Sequence, residues 1–221
     1  MIKNLLTIQK KLKETIEFTE DGYLDLLAVE KKGSNLELKY KIVTGLENEP
    51  EQLWQITCYK VREHKIVLGE QYCDREYTEF KLFDDHVLLW SYNQPVSSLT
   101  FNNVNSNLEP HHIIGKLYHK HQELVGSWIP FNSCFNRYSD LTLNKLISLG
   151  HGKLAEGAEK LIIGYQEVMN ECGFQSSYLS RPPKQSDEEK GWIDEKSNLQ
   201  VFITGQSYVI AADLIAKRII D

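Results

Sequence analysis

The stretch LELKYKIV, Leu36 to Val43, alternates without a break: Leu36, Leu38, Tyr40 and Ile42 fall on one side and Glu37, Lys39 and Lys41 on the other. A period of two matches the pleat of an extended chain. One apolar row beside one charged row therefore requires a strand with one buried and one solvated face. Such a strand needs partners, and the neighbouring sequence supplies them. Tyr23 to Val29 precedes it across EKKGSN, where Gly33 and Asn35 suit a hairpin turn. EQLWQITCYKV repeats the alternation, with Trp54, Ile56 and Cys58 on one face and Gln55, Thr57 and Tyr59 on the other; REHK then reads as a turn. IVLGEQYC, REYTEFKLF, HVLLWSY and VSSLTF follow at short spacing, with Pro95 at a bend between the last two. The pattern predicts an antiparallel meander of about five to seven strands between Tyr23 and Phe101.

Helical spacing appears on either side of this meander. Leu5, Ile8, Leu12 and Ile16 share one helical face, closed by TEDG. NNVNSNLE, from Asn102 to Glu109, marks a change from a sheet-rich part, 20–102, to a helix-rich part, 108–221. There, SDLTLNKLISLG offers Ser139 and Asp140 as N-caps and Gly150 as a stop. Lys153 to Cys172 carries an apolar stripe through Leu154, Ala158, Leu161, Tyr165 and Met169, which predicts a second helix ending before Gly173. SRPPKQSDEEKG reads as a surface loop and NLQVFITG as a strand. QSYVIAADLIAKRIID fits a helix through Val209, Ala212, Ala216 and Ile219, although Tyr208, Ile210, Ala212 and Leu214 also alternate. The expected fold class is α+β: a single domain, 1–221, with an antiparallel meander packed against N- and C-terminal helices. Strands do not alternate with helices as a doubly wound nucleotide-binding sheet requires.

Several function classes are set aside by composition. Hydrophobic residues at 41% and charged residues at 25% support a real core. The net charge of −6 is spread over the chain with no basic stripe, so no nucleic-acid partner is expected. No apolar run approaches bilayer length and the N-terminal stretch lacks a continuous apolar segment, so no membrane association is expected. Cys58, Cys73, Cys134 and Cys172 lie far apart without a C-x-x-C pair, which points to reduced thiols in a cytoplasm.

The densest chemistry lies in PHHIIGKLYHKH, Pro110 to His121, which holds four of the seven histidines. On a strand, His119 and His121 would share a face and one zinc. On a helix they stand about 200° apart and cannot. Pro110 suits a first turn, Gly126 lies just beyond the end, and Ile113, Ile114, Leu117, Leu124 and Val125 form an apolar stripe, so the helix is preferred. His112 and His119 then share a face about 10 Å apart, with the Lys116 ammonium between them. His119 with Glu123 remains as a metal or acid–base pair, against the plainer reading of a solvated helix face. His121, on the apolar side, is expected to be buried and hydrogen-bonded.

Other chemistry is incomplete. GHGKL, Gly150 to Leu154, resembles the end of a phosphate loop but lacks its first glycine and the following hydroxyl, leaving only anion binding at a helix start beside His151 and Lys153. FDDH places Asp84, Asp85 and His86 together in what reads as a solvated turn. Cys134 has polar neighbours but no histidine positioned beside it by sequence, and an inert buried thiol is the simpler reading. Trp54, Tyr59, Trp90 and Tyr92 fall within the expected meander, where an aromatic face would hold an apolar ligand or a partner's side chains.

With no intact catalytic motif, no cofactor, metal ligand or catalytic residue is assigned. The expectation is a small intracellular binding or regulatory module acting through a protein partner or self-association. Trp54, Tyr59, Trp90, Tyr92, His112, His119 and Glu123 are its candidate contact residues. The alternatives are a hydrolase using the His112, His119 and Glu123 face, and a carrier of a small apolar ligand.

Overall fold

A computed structural model describes residues 23–43, 50–67, 80–135, 141–183, 185–187, 191–193 and 198–219. The helix expected within residues 1–18 and most of the strands expected over 66–83 lie outside them. The fold is α+β with antiparallel sheets. Its chain divides into two compact units, 1–86 with 198–221, and 87–197.

In the first unit, β1 (Tyr23–Lys32), β2 (Asn35–Val43) and β3 (Gln52–Tyr59) run as consecutive antiparallel neighbours. Leu36, Leu38, Tyr40 and Ile42 are all buried, as the alternation of β2 requires. A second sheet combines β4 (Glu63–Lys65), β5 (Phe80–Phe83), β11 (Gln200–Thr204) and β12 (Ser207–Ala211) in the order β4-β12-β11-β5. β13 (Asp213–Ile219) returns to pair with β3 in the first sheet. Phe202, Val209 and Leu214 from the C-terminal strands share one core with Leu38 and Ile56.

Two expectations fail here. REHK is not only a turn, because Glu63–Lys65 pairs with Tyr208–Ile210; all three β4 residues are exposed, so no apolar row marked the strand. The C-terminal stretch is not a helix but β12 and β13, joined to β11 by a tight turn in which Gly205 takes φ +55°. Its β-branched residues suit strands, and pairing with β3 and β11 overrides the helical spacing.

In the second unit, β6 (Val96–Asn103) lies between β7 (His151–Ala158) and β8 (Phe174–Arg181). HVLLWSY is not a strand: it forms a 3₁₀ turn at Val87–Leu89 and a short helix α1 (Trp90–Asn93). α2 (Pro110–Val125) begins at the expected proline and closes at Gly126, and α3 (Leu143–Leu149) ends at the expected Gly150, which is left-handed. The N-cap of α3 is Thr142, which accepts from the Lys145 N–H, while the expected caps Ser139 and Asp140 lie outside the described residues. The helix expected from Lys153 begins only at Glu159, as α4 (Glu159–Glu171), and the residues before it form β7. Gly150 and Gly152 both take positive φ, which breaks helical continuity, and β7 is fixed by pairing with β6. β9 (Gln185–Asp187) and β10 (Gly191–Ile193) form a separate small hairpin where a loop was expected.

Leu99, Ile113, Leu117, Leu154, Leu161 and Tyr165 form the centre of this unit's core. Gly173 ends α4 at φ +86°, and a Cβ there would lie 3.1 Å from the backbone of Asn105 and Ser106. Gly173→Ala is expected to cost about 1–3 kcal/mol from φ strain and backbone crowding, read by chemical denaturation.

Candidate functional site

α2 places its histidines on two different sides. Pro110 occupies the first turn after an extended Glu109, and Gly126 closes the helix at φ +56° by donating to the Gln122 carbonyl. His119 Nδ1 lies 3.3 Å from Glu123 Oε1, but the two side chains are 78% and 54% exposed, so water screens the pair. His112 leans on His111, with ring centroids 4.2 Å apart. Among the described residues, no group of three His, Cys, Asp or Glu side chains is arranged to hold a metal ion.

His121 is fully buried. Its Nε2 lies 2.7 Å from the Ile129 carbonyl, which only accepts, so Nε2 carries the proton and Nδ1 accepts from the Tyr165 hydroxyl at 2.6 Å. Burial, with Cys134 beside it, pushes the Tyr165 phenol's pKa up and keeps it a donor. Phe131 meets the imidazole edge-on and Phe135 packs on Tyr165. Both nitrogens are thus committed, and the partner beside the buried Cys134 is a tyrosine. Tyr165→Phe leaves Nδ1 without its donor and is expected to cost about 1–3 kcal/mol in denaturant unfolding.

On the β7-β6-β8 sheet, Ser97, Leu99 and Phe101 are buried, while Ser98 and Thr100 point to the other face. Ser98 is registered opposite Glu156 on β7 and Leu179 on β8, and Thr100 opposite Lys153 and Ser177. The Glu156 carboxylate accepts from Lys153 Nζ, from Ser98 Oγ at 2.9 Å and from Arg181 Nη2 at 3.0 Å. The Lys153 hydrogen bond leads these effects, which outweigh burial and pull the carboxyl down to about 2. Lys153 is therefore occupied, and no helix begins beside His151, which removes the anion site expected at GHGKL. On the helical side, Ser180 donates to Glu159 Oε1 at 2.6 Å, so Ser97 donates to Ser180 at 2.7 Å.

The edge of β8 is divided. Asn170 Oδ1 accepts from the Ser176 backbone N–H at 3.2 Å, and Gln166 Nε2 donates to the Ser176 carbonyl at 3.0 Å. Both groups of Ser176 thus point away from β6, and by alternation so do those of Tyr178 and Ser180. Among the described residues no strand pairs with β8 on that side. Leu179, between them, is 79% exposed, and Pro182 and Pro183 follow the strand. This edge was not foreseen, although Gly173 before it and the prolines after it bracket a strand-length segment with Tyr178 and Leu179 inside.

The remaining sequence candidates are dispersed. Trp54 and Tyr59 lie on β3 of the first unit, on opposite faces, and Trp54 Nε1 donates to Gln52 Oε1 at 3.1 Å. Trp90 and Tyr92 lie on α1 of the second unit, with Lys160 Nζ 5.4 Å from the Trp90 ring centre. Asp84 and Asp85 are exposed, and His86 stacks on Phe83; burial lowers the His86 pKa while Asp85 opposes it. These three belong to the first unit and His112, His119 and Glu123 to the second. In comparisons with family models, curated proteins and solved structures, the chain matches none.

The depressed Glu156 pKa stabilises the fold above the ordinary carboxyl value of 4.5, and that contribution is lost as pH falls from 4.5 toward about 2. Glu156→Gln is expected to lower stability at neutral pH by about 1–3 kcal/mol, a figure reduced for the partial exposure of Lys153 and Arg181. Denaturation curves of the two proteins should converge across that acid window.

Proposed function

We propose that this chain is a non-catalytic binding module that takes up an extended strand, from a protein partner or a second copy, along the open edge of β8. The observation that carries this reading is the stretch Tyr178–Ser180, whose outward backbone groups lack a strand partner among the described residues beside the exposed Leu179. An edge with unpaired N–H and C=O groups is a template for strand addition, and an adjacent apolar side chain supplies buried area. Two polar clusters of the second unit are committed internally: Glu156 to Lys153, Ser98 and Arg181, and His121 to Tyr165 and Ile129. Cys58, Cys134 and Cys172 are buried thiols, which fits work in a reducing cytoplasm. Among the described residues, no helix is long and apolar enough to cross a membrane.

The test is a photoreactive side chain introduced in cells at Leu179 or, as a control, at His119. Adducts to a protein at position 179, with fewer or none at 119, are the expected result. Adducts confined to position 119, or absent from both, would refute the reading.

A further inference from the structure

We infer that the occupant of the β8 edge is a second copy of the same chain, paired antiparallel about a two-fold axis through Leu179. This rests on the strand-addition reading and specifies its partner. The open segment is closed at both ends. Toward its start, Ser176 has both backbone groups taken by Asn170 and Gln166 of α4; past its end, Pro182 and Pro183 have no N–H to donate. What lies between is Tyr178 and Ser180, pointing outward on either side of Leu179.

Two such edges fit each other in one register. With the axis on Leu179, Tyr178 of each copy faces Ser180 of the other. Each of these pairs exchanges both of its bonds, about four backbone hydrogen bonds in all. Moving the axis to Tyr178 sets Ser180 against the capped Ser176; moving it to Ser180 sets Tyr178 against Pro182. Either shift loses bonds. The favoured register also places Leu179 against Leu179 on the same sheet face, so the most exposed large apolar side chain among the described residues covers itself. Arg181 falls opposite Ser177 of the second copy, so like charges do not meet across the pair. The result is one continuous six-stranded sheet with a self-complementary, two-fold contact.

The test uses the full chain with Cys73→Ser, because Cys58, Cys134 and Cys172 are buried. In the proposed register the two Leu179 Cα atoms approach to about 4.5 Å, a spacing that a disulfide spans. Leu179→Cys should therefore give a disulfide-linked dimer under oxidised glutathione, whereas Ser177→Cys, which faces Arg181 of the second copy, should remain mostly uncrosslinked. Sedimentation equilibrium of the unmodified chain should show a monomer–dimer equilibrium that Leu179→Asp shifts to monomer, with circular dichroism confirming that the variant is folded. A monomer at every concentration with no Leu179→Cys crosslink would overturn the inference, as would equal crosslinking at the two positions. If the chain stays monomeric while position 179 captures a different protein in cells, self-pairing fails and the strand-addition reading survives. If both experiments are negative, both readings fail.

Discussion

A histidine ring shut away from water has to place both of its nitrogens, and His121 does so by donating to the Ile129 carbonyl and accepting from Tyr165. Those bonds join α2, α4 and the segment that follows α2. Unlike apolar packing, which tolerates small slides, hydrogen bonds of this length fix rotation and height together. The helices also come very close: a Cβ on Gly164 of α4 would lie 2.5 Å from Leu124 Cδ1 of α2. Once α4 is held in this way, Gln166 and Asn170 stand where they reach the Ser176 backbone on the edge of the sheet. The division of the β8 edge into a capped and an open part is thus a consequence of how α4 is seated.

The clusters around His121 and Glu156 have their polar groups bonded to one another, and this shapes what they do. A proton-transfer group needs a lone pair or proton available to a substrate. The imidazole of His121 has neither without opening the core, and Glu156 spends its carboxylate on two cations and a hydroxyl. Such groups position backbone. The Glu156 contacts tie β7, β6 and β8 together across one face through residues 98, 153, 156 and 181, which adds side-chain bonds to the backbone pairing of the sheet.

What was legible in the sequence follows from which elements have one wet face. β2 and β3 alternate because one side is core, and α2 shows its stripe together with a proline start and a glycine end, so these elements are legible in the sequence. β4 and most of β8 are exposed along their length and carry no apolar row to detect. β7 was hidden for a different reason, since its residues continue the helical spacing of α4 and only pairing with β6 decides between the two. His119 and Glu123, four residues apart on one helix, were found as a pair. The Glu156 cluster was not, because Ser98 and Arg181 reach it only through strand register, across 58 and 25 residues of sequence, and no local spacing encodes such a register.

The connectivity of the first unit carries a consequence for how the chain is made. β5 and β11 are direct neighbours, with Phe83 opposite Val201, although the whole second unit lies between them in sequence. β13 likewise completes the sheet begun by β1, β2 and β3. A ribosome delivers residues from the N-terminus, so β1 to β3 emerge long before three of the strands that finish their unit, whereas the second unit is released as one uninterrupted segment. Vectorial synthesis therefore favours the inserted unit folding first. Its compaction shortens the span that must close before β11, β12 and β13 can dock, and until then the nascent chain carries β3 with a vacant edge that chaperones have reason to shield.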